Sequence, residues 1–295
     1  MSVYIVAEAG ACGDADLRKM LQQVKAASQA GANAVKFQWT SDGTQMAANR
    51  GSMGAFSYAP IYEKYIQWPA EWHSILHESC SELKLDYMCT VYLPEDLLVI
   101  DPFVSNFKIS SFEITDDRFI RAHKRYLREK DSREVFLSTG MSTTESLERL
   151  VKRTLCHLPS SRWRLLHCVS AYPSPLAEVN LRCIVDSWFT DAPLTGFSDH
   201  TPPQVVGSGG MAVAAGASVI EAHLKNEKTD KKNPDELHSM TPAQFKEYVE
   251  FIREAEVILG SELKRQQKCE EAMMKYRVNA VQDSLMSTVT PAQHK

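Results

Sequence analysis

Residues 194–224 read LTGFSDHTPPQVVGSGGMAVAAGASVIEAHL, and this stretch decides the fold class. The short apolar runs 194–197 and 218–222 have the length of buried strands, and the small-residue segment 204–216 between them predicts a helix. A strand–helix–strand unit of this size joins two parallel, neighbouring strands. His200 and His223 each follow one of the apolar runs, so we expect both imidazoles at the same end of adjacent strands.

The same alternation continues through the rest of the chain. Stretches with helical spacing of apolar residues, such as 16–30, 144–157 and 242–259, alternate with further apolar runs. Eight strands alternating with helices in 295 residues predict a single (β/α)8 TIM barrel. An open doubly wound sheet is the alternative, but no glycine-rich dinucleotide fingerprint follows the first strand. The predicted strands are 3–7, 34–37, 86–90, 106–109, 134–137, 164–168, 194–197 and 218–222.

The barrel is predicted to occupy residues 1–260, followed by a C-terminal helix and a polar tail over 261–295. One segment interrupts the alternation. Residues 40–60 are polar and contain glycine and methionine, and their length predicts a lid or a binding loop after the second strand.

The composition is that of a globular protein with a full core, since 44% of the residues are hydrophobic and 24% are charged. A formal net charge of −4 does not attract a polyanion, so we expect no nucleic-acid partner. The seven cysteines form no CxxC pair, which favours reduced thiols over a disulfide framework. No signal peptide and no apolar run of membrane-spanning length is found, so we expect a cytoplasmic protein without membrane attachment.

The residues at the predicted strand ends are unusually polar, and TIM-barrel active sites lie at the carboxyl ends of the strands. Strand lysines and serine hydroxyls suit an oxygen-rich anion such as a phosphate. A histidine pair suits a borderline divalent metal, and glutamates can move protons or position water. A single histidine or serine at such a position is more often structural, so the prediction rests on the whole set. The anion-binding candidates are Lys36, Lys108, Ser111, Ser138 and Ser198, the metal ligands His200 and His223, and the proton-transfer groups Glu8 and Glu113.

Seven segments of the chain carry a family resemblance, and they occur in this order: AEAG (7–10), AVKFQ (34–38), FKISSFE (107–113), LSTGM (137–141), LHCVSAYPSP (166–175), GFSDHT (196–201) and IEAHL (220–224). Together they closely resemble the sialic acid synthase family, which comprises the N-acetylneuraminate synthases and their relatives. The resemblance extends over about residues 3–258.

The resemblance implies a transferase that condenses phosphoenolpyruvate with an aldehyde, such as that of an N-acyl amino sugar. The implied products are a 2-keto acid of the nonulosonic type and phosphate. It also implies a homodimer and a divalent metal, typically manganese, with magnesium and cobalt as alternatives. By resemblance, His200 and His223 bind the metal, and the lysines and serines named above hold phosphoenolpyruvate. The residues implied at the reaction centre are Glu8, Gln38, Thr90, Glu113, Tyr172 and Asp235.

Four departures from the family pattern concern the acceptor side. The segment 12–15, Cys-Gly-Asp-Ala, stands where the family has Asn-His-Asn-Gly, and Ala222 stands in place of a lysine. Glu236 replaces the histidine of a Pro-Asp-His segment, and we expect no C-terminal antifreeze-like domain. The donor is therefore expected to be kept and the acceptor to differ.

Two alternatives remain at this stage. The first is a different metal-dependent barrel lyase or aldolase. The second is a non-catalytic member of the family that binds an anion or a partner. Two lysines at strand ends argue against a purely structural barrel, because burying an unpaired charge is costly.

Overall fold

The computed structural model describes residues 2–49, 55–129, 133–157, 159–187, 190–260 and 263–278. Its strands are β1 (Tyr4–Gly10), β2 (Ala34–Gln38), β3 (Asp86–Thr90), β4 (Phe107–Ile109), β5 (Val135–Ser138), β6 (Trp163–His167), β7 (Leu194–Asp199) and β8 (Val219–His223). Each strand pairs in parallel with the next one along the chain, and β8 pairs with β1 to close the barrel. The predicted (β/α)8 barrel is confirmed.

The helices are α1 (Leu17–Ala30), α2 (Gly43–Asn49), α3 (Ala55–Tyr65), α4 (Trp72–Glu82), α5 (Leu97–Ile100), α6 (Asp117–Glu129), α7 (Thr144–Arg153), α8 (Arg182–Ser187), α9 (Ser208–Ala214) and α10 (Pro242–Leu259). Local sequence sets the ends of α1. The Asp16 side chain accepts a hydrogen bond from the Arg18 N–H at its start, and Gly31 ends it with a φ of 86°. Met20 and Val24, four residues apart, bury the inner face of α1 in the core.

Side chains on the strands alternate between the barrel interior and the surrounding helices. In β1, Ile5 and Ala7 belong to the core shared with the helices, whereas Val6 belongs to a separate interior cluster. Glu8 follows Val6 by two residues, so it points to the same interior. The interior apolar cluster consists of Val6, Ala34, Met88, Phe136, Leu166 and Val219. The barrel interior therefore has a polar layer, which includes Glu8, next to the apolar cluster and nearer the carboxyl ends of the strands.

The prediction of a loop over 40–60 is wrong in its secondary structure, because this segment contains α2 and the first part of α3. Met46 of α2 and Tyr65 of α3 are buried in one cluster with Ala11 and Leu93. Tertiary packing of this apolar side stabilises helices that composition alone does not indicate. Residues 50–54 lie outside the described residues.

The chain divides into two compact units, Met1–Ile258 and Leu259–Lys295. The first is the barrel. In the second, Lys268–Tyr276 forms a 3-10 helix, and positions 261–262 and 279–295 of the predicted helix and polar tail lie outside the described residues. Among the helices that the structure describes, none combines the length and the apolar content needed to cross a bilayer.

Candidate active site

A cavity of about 620 Å³ lies at the carboxyl ends of the barrel strands. Strand-end positions supply most of its polar lining, as expected for this fold. Of the predicted site residues, those that line the cavity are Glu8, Lys36, Gln38, Thr90, Lys108, Ser111, Ser138, Tyr172, Ser198, His200, His223 and Asp235. The fold thus brings together residues that lie more than 200 positions apart in the sequence.

Glu113 is the predicted site residue that does not line this cavity. Its carboxylate accepts a hydrogen bond from Ser110 Oγ, and its backbone N–H donates to the Ser110 carbonyl oxygen at 3.1 Å. Glu113 therefore lies in the turn after β4 and contacts the site through Ser110, which does line the cavity.

A cluster of buried charges lines the cavity. Lys36 Nζ forms an ion pair with Glu8, donates to Thr90 Oγ1 at 3.1 Å, and lies 3.6 Å from Glu221 Oε2. Lys108 Nζ lies 3.4 Å from Glu221 Oε1. The four charged side chains are each no more than 4% exposed. Because buried charges are stable only when paired, the two lysines and two glutamates hold one another in place.

The two glutamates of this cluster have opposite pKa shifts. Burial raises the pKa of Glu8 to about 7, although the positive charge of Lys36 opposes the shift. Burial acts on Glu221 in the same sense, but Lys108 and Lys36 outweigh it and lower the pKa of Glu221 to about 2. Ser198 Oγ also donates to Glu221 Oε1 at 2.9 Å. Glu8 is therefore the member of the cluster that can exchange a proton near neutral pH.

Glu221 had no predicted role, although it lies at a strand end. A signal for it was available in the sequence. Glu221 is two residues before His223 on β8 and two after Val219, so strand alternation alone directs it into the barrel.

The predicted anion-binding serines Ser111 and Ser138 lie close to Gly140. Ser138 Oγ is buried and has no hydrogen-bond partner among the described residues. Ser111 Oγ accepts from the Gly140 N–H at 3.1 Å, and a Cβ added to Gly140 would lie 2.1 Å from Ser170 Oγ. A side chain at position 140 would therefore displace these serines, and the unpaired Ser138 hydroxyl is suited to an incoming anion.

His200 is held in one tautomer by the backbone. Its Nδ1 lies 2.9 Å from the Val169 carbonyl oxygen, so Nδ1 carries the proton and Nε2 keeps its lone pair. Burial lowers the pKa of His200 to about 4, which keeps the ring neutral at physiological pH. The ring of Tyr172 packs 4.4 Å from that of His200, centroid to centroid.

His223 lies in a second group of potential ligands that includes a residue absent from the sequence-based prediction, His238. Among the described residues, His223, Asp235 and His238 each offer one ligand atom, and these atoms lie within 4.8 Å of one another. Burial lowers the pKa of His223 well below its ordinary value and that of His238 to about 4. Neutral imidazoles with a carboxylate form a donor set that fits a divalent transition-metal ion.

Asp235 is placed by contacts from the first two strands. Its Oδ2 accepts from the Ala11 N–H at 2.9 Å and lies 3.4 Å from Gln38 Nε2, which also donates to Glu8 at 3.0 Å. Gly10 has a φ of 52°, and a Cβ there would lie 2.4 Å from Asp235 Oδ2. The carboxylate can reach the cavity because position 10 carries no side chain.

Glu236, which stands where the resemblance placed a histidine, has a different partner. Its carboxylate accepts from Lys225 Nζ at 3.0 Å and pairs with Lys231. The imidazole in this segment comes instead from His238, two positions further along. No strand or helix contains His238, so periodicity gave no signal for it. The signal was its position in a connection at the active-site end of the barrel.

An aromatic and aliphatic wall, also absent from the sequence-based prediction, lines part of the cavity. It comes from α3 and the residue that follows it, and it contains Tyr58, Ile61, Tyr62, Tyr65 and Ile66. The rings of Tyr58 and Tyr62 stack with their centroids 6.4 Å apart. Tyr58 lies in the segment 40–60 that was predicted as a loop, and no helix was predicted over the residues that follow it, so this continuous apolar face was not predicted.

Comparisons with known proteins agree with this geometry. The chain is 31% identical over 272 residues to pseudaminic acid synthase of Campylobacter jejuni, covering 88% of this chain and 75% of that protein. It is 31% identical over 276 residues to N,N'-diacetyllegionaminic acid synthase of Legionella pneumophila, covering 88% and 74%. The crystal structure of an N-acetylneuraminic acid synthetase from Leptospira borgpetersenii superposes with a TM-score of 0.79 at 26% identity, covering 94% of this chain and 92% of that one.

The NeuB family profile matches residues 23–264, which include eleven of the predicted cavity residues and the additional His238. The family resemblance inferred from the seven ordered segments is therefore confirmed. The chain belongs to the NeuB family.

Proposed function

We propose that this protein condenses phosphoenolpyruvate with the aldehyde group of a sugar, in a metal-dependent reaction that yields a nonulosonic-type 2-keto acid and phosphate. Membership of the NeuB family and the synthase names of its relatives support this reaction class. The observation that carries the proposal is a single cavity in which buried lysines face a group of imidazoles and a carboxylate.

The cluster that contains Lys36 and Lys108 is suited to bind the donor, phosphoenolpyruvate. Phosphoenolpyruvate carries a carboxylate and a phosphate, and Lys36 and Lys108 offer two buried positive charges in one cavity. The unpaired hydroxyl of Ser138 adds a neutral donor. Uptake of an anion favours protonation of Glu8, whose raised pKa allows it to lose its charge at little cost.

The imidazoles and the aromatic wall of the cavity are suited to the acceptor. A divalent cation held by His200, His223 and their neighbours would supply Lewis-acid polarisation of the aldehyde oxygen. Tyr58 and Tyr62 offer stacked aromatic rings, and such surfaces pack well against the apolar faces of sugar rings. We propose an N-acyl amino sugar as the acceptor, because this wall can also contact an apolar acyl group.

The reaction balances as follows. A bond forms between carbon 3 of phosphoenolpyruvate and the aldehyde carbon, and the aldehyde oxygen takes up a proton to become a hydroxyl. Water adds to carbon 2 and gives up one proton, which leaves a hydroxyl there. The bond between carbon 2 and the phosphate oxygen then breaks, phosphate leaves with the bonding electrons, and the hydroxyl loses its proton as the ketone at carbon 2 forms. Glu8 is suited to exchange these protons because its pKa of about 7 lies near neutral pH. The remaining residues bind, orient and stabilise charge.

The decisive experiment measures phosphate release from phosphoenolpyruvate with a panel of free and phosphorylated aldoses and N-acyl amino sugars, each with Mn²⁺, Mg²⁺ or Co²⁺. We expect release only with both an acceptor and a metal, and mass spectrometry should detect the acceptor enlarged by a pyruvyl unit. Release without an acceptor, or no adduct with any aldehyde in the panel, would contradict the proposal.

A further inference from the structure

His238 differs from the other buried histidines of the barrel in its hydrogen bonding. It is 3% exposed, and neither Nδ1 nor Nε2 has a hydrogen-bond partner among the described residues. His73 and His123 are as deeply buried, but Nδ1 of His73 bonds Tyr87 and Nδ1 of His123 bonds the Phe119 carbonyl. Burying an imidazole with both nitrogens unpaired is costly, so His238 lacks a partner that the bound state should supply.

The surroundings of His238 identify the kind of partner. Its ring centroid lies 4.4 Å from that of His223 and 6.1 Å from that of His200. Its ligand atom and those of His223 and Asp235 lie within 4.8 Å of one another. By contrast, His123 packs against the rings of Phe107 and Phe119, and among the described residues it belongs to no group of three potential metal ligands. Three converging groups that each offer one ligand atom are suited to a cation.

The backbone holds His238 in this position. The segment after it returns beside β8, where Met240 donates its N–H to the His223 carbonyl oxygen at 2.9 Å and Lys225 donates to the Met240 carbonyl at 2.9 Å. Ser239 Oγ donates to the Asp235 carbonyl oxygen at 2.5 Å. The two potential ligands of this connection are therefore fixed relative to the strand that carries the third.

We propose that His238 is a direct ligand of the divalent cation, which it shares with His223 and Asp235. This extends the metal site beyond the pair His200 and His223 that the family resemblance implies. Imidazoles combined with a carboxylate favour Mn²⁺, Fe²⁺, Co²⁺ or Zn²⁺ over Mg²⁺, which prefers oxygen ligands. The inference concerns the cation site of the proposed enzyme, but it can be tested without either substrate.

The test measures Co²⁺ binding by equilibrium dialysis and by the visible absorption of the bound ion, with chelator-treated full-length protein. We expect His238→Leu to raise the Kd for Co²⁺ about 10- to 100-fold and to change the absorption spectrum. His123→Leu removes an equally buried histidine outside the ligand group, and it should leave both unchanged. In the wild type, Mg²⁺ should compete with Co²⁺ at least about tenfold less effectively than Mn²⁺ does.

Circular dichroism checks that each variant is folded, and His238→Gln provides a polar replacement if the leucine variant is not. A folded variant at position 238 that binds Co²⁺ with the wild-type Kd and spectrum would overturn the proposal. This result would leave the condensation reaction intact, since that reaction is judged by phosphate release. Conversely, loss of Co²⁺ binding in a protein without condensation activity would support the ligand role and contradict only the proposed function.

Discussion

Two groups of residues that line the active-site cavity are held in place by different parts of the fold. The lysine–glutamate cluster is carried by strands, whose ladder of hydrogen bonds fixes each side chain before any ligand arrives. Asp235 and His238 are carried by the connection after β8, which is attached to the turn after β1 by a small number of bonds. Asn233 Nδ2 donates to the Ala11 carbonyl and to Asp14, each at 2.7 Å. The comparison teaches that the placement of the lysines and glutamates is a property of the barrel strands, whereas the positions of Asp235 and His238 depend on individual loop contacts.

The largest effect is expected from breaking the strand-borne cluster. Lys108→Met removes a buried positive charge that faces the anion, so the rate of phosphate release should fall about 10³-fold. The same change removes one of the two cations beside Glu221 and should also lower stability. Kinetics with phosphoenolpyruvate and chemical denaturation measure the two effects.

Lys108→Met combined with Glu221→Gln separates charge balance from binding. The double variant should regain part of the lost stability, because no uncompensated carboxylate remains. It should remain inactive. Turnover of Lys108→Met within about tenfold of wild type would contradict the role of this cluster.

The second largest effect is expected from a substitution of Gly140, which lies beside Ser111 and Ser170. Gly140→Ala places a methyl group 2.1 Å from Ser170 Oγ and 2.9 Å from Ser111 Oγ, so these side chains must move. We expect a loss of about 1–3 kcal/mol in the free energy of unfolding and a clear rise in the KM for phosphoenolpyruvate. Gly207→Ala is the control, because the nearest atom to its added Cβ is 3.6 Å away. Equal effects of the two substitutions in denaturation and kinetics would refute the close-packing argument.

The pH dependence of stability tests the electrostatics of Glu8. Its pKa is about 7 in the folded state against 4.5 for the free group, so between these values the native state holds more protons than the unfolded chain. The contribution of Glu8 to stability is therefore greatest at acidic pH and falls as the pH rises through this window. Between pH 5 and pH 8 the loss is on the order of 2 kcal/mol.

Glu8→Gln should abolish this component. The Tm of Glu8→Gln, measured relative to the Tm of the wild type at the same pH, should increase from pH 5 to pH 8. Lys36 stays charged throughout, because its carboxylate partners raise its pKa against the effect of burial. A difference in Tm that does not change with pH would show that Glu8 titrates normally.

The smallest effect is expected from a change in the connection after β8, which carries Asp235 and His238. Asn233→Ala removes two hydrogen bonds that attach the connection after β8, at about 1 kcal/mol each. We expect lower stability and a weaker affinity for Co²⁺, while inhibition by phosphate, which reports on the lysine side, stays near the wild-type value. Lys232→Ala, an exposed neighbour in the same connection, is the control. If Asn233→Ala changes phosphate inhibition as much as Co²⁺ affinity, the two parts of the site are not independent.

The positions of the strand ends made most of the site predictable. Once β1 and β2 were recognised, Glu8, Lys36 and Gln38 stood at or just after their carboxyl ends, and their polar character beside apolar runs marked them as functional. The family prediction made from the ordered segments is confirmed. The roles of the individual residues, the metal and the acceptor stay predictions.

The failures have physical causes that differ from residue to residue. His238 lies in a connection without regular structure. Tyr58 lies in the segment 40–60 that was predicted as a loop, and Tyr62 lies just after it, where no helix was predicted. For His238 no backbone repeat relates sequence position to direction, and the helical repeat that places Tyr58 and Tyr62 on one face of α3 was not recognised in the sequence. Glu113 was assigned to the site from its position after the fourth strand and from the family resemblance, but the chain turns after Ile109 and Glu113 does not line the cavity.

The sequence by itself determined the barrel, the order of its strands and the residues that point into its interior, because alternation along a strand is a local property. Only the tertiary structure decided which of these side chains pair with one another, and it alone shifted the pKa values of Glu8 and Glu221 in opposite directions. It also decided that His238 faces His223, since these residues belong to a strand and a loop brought together by Met240 and Lys225. Pairing and burial depend on distances across the barrel, and no local pattern encodes them.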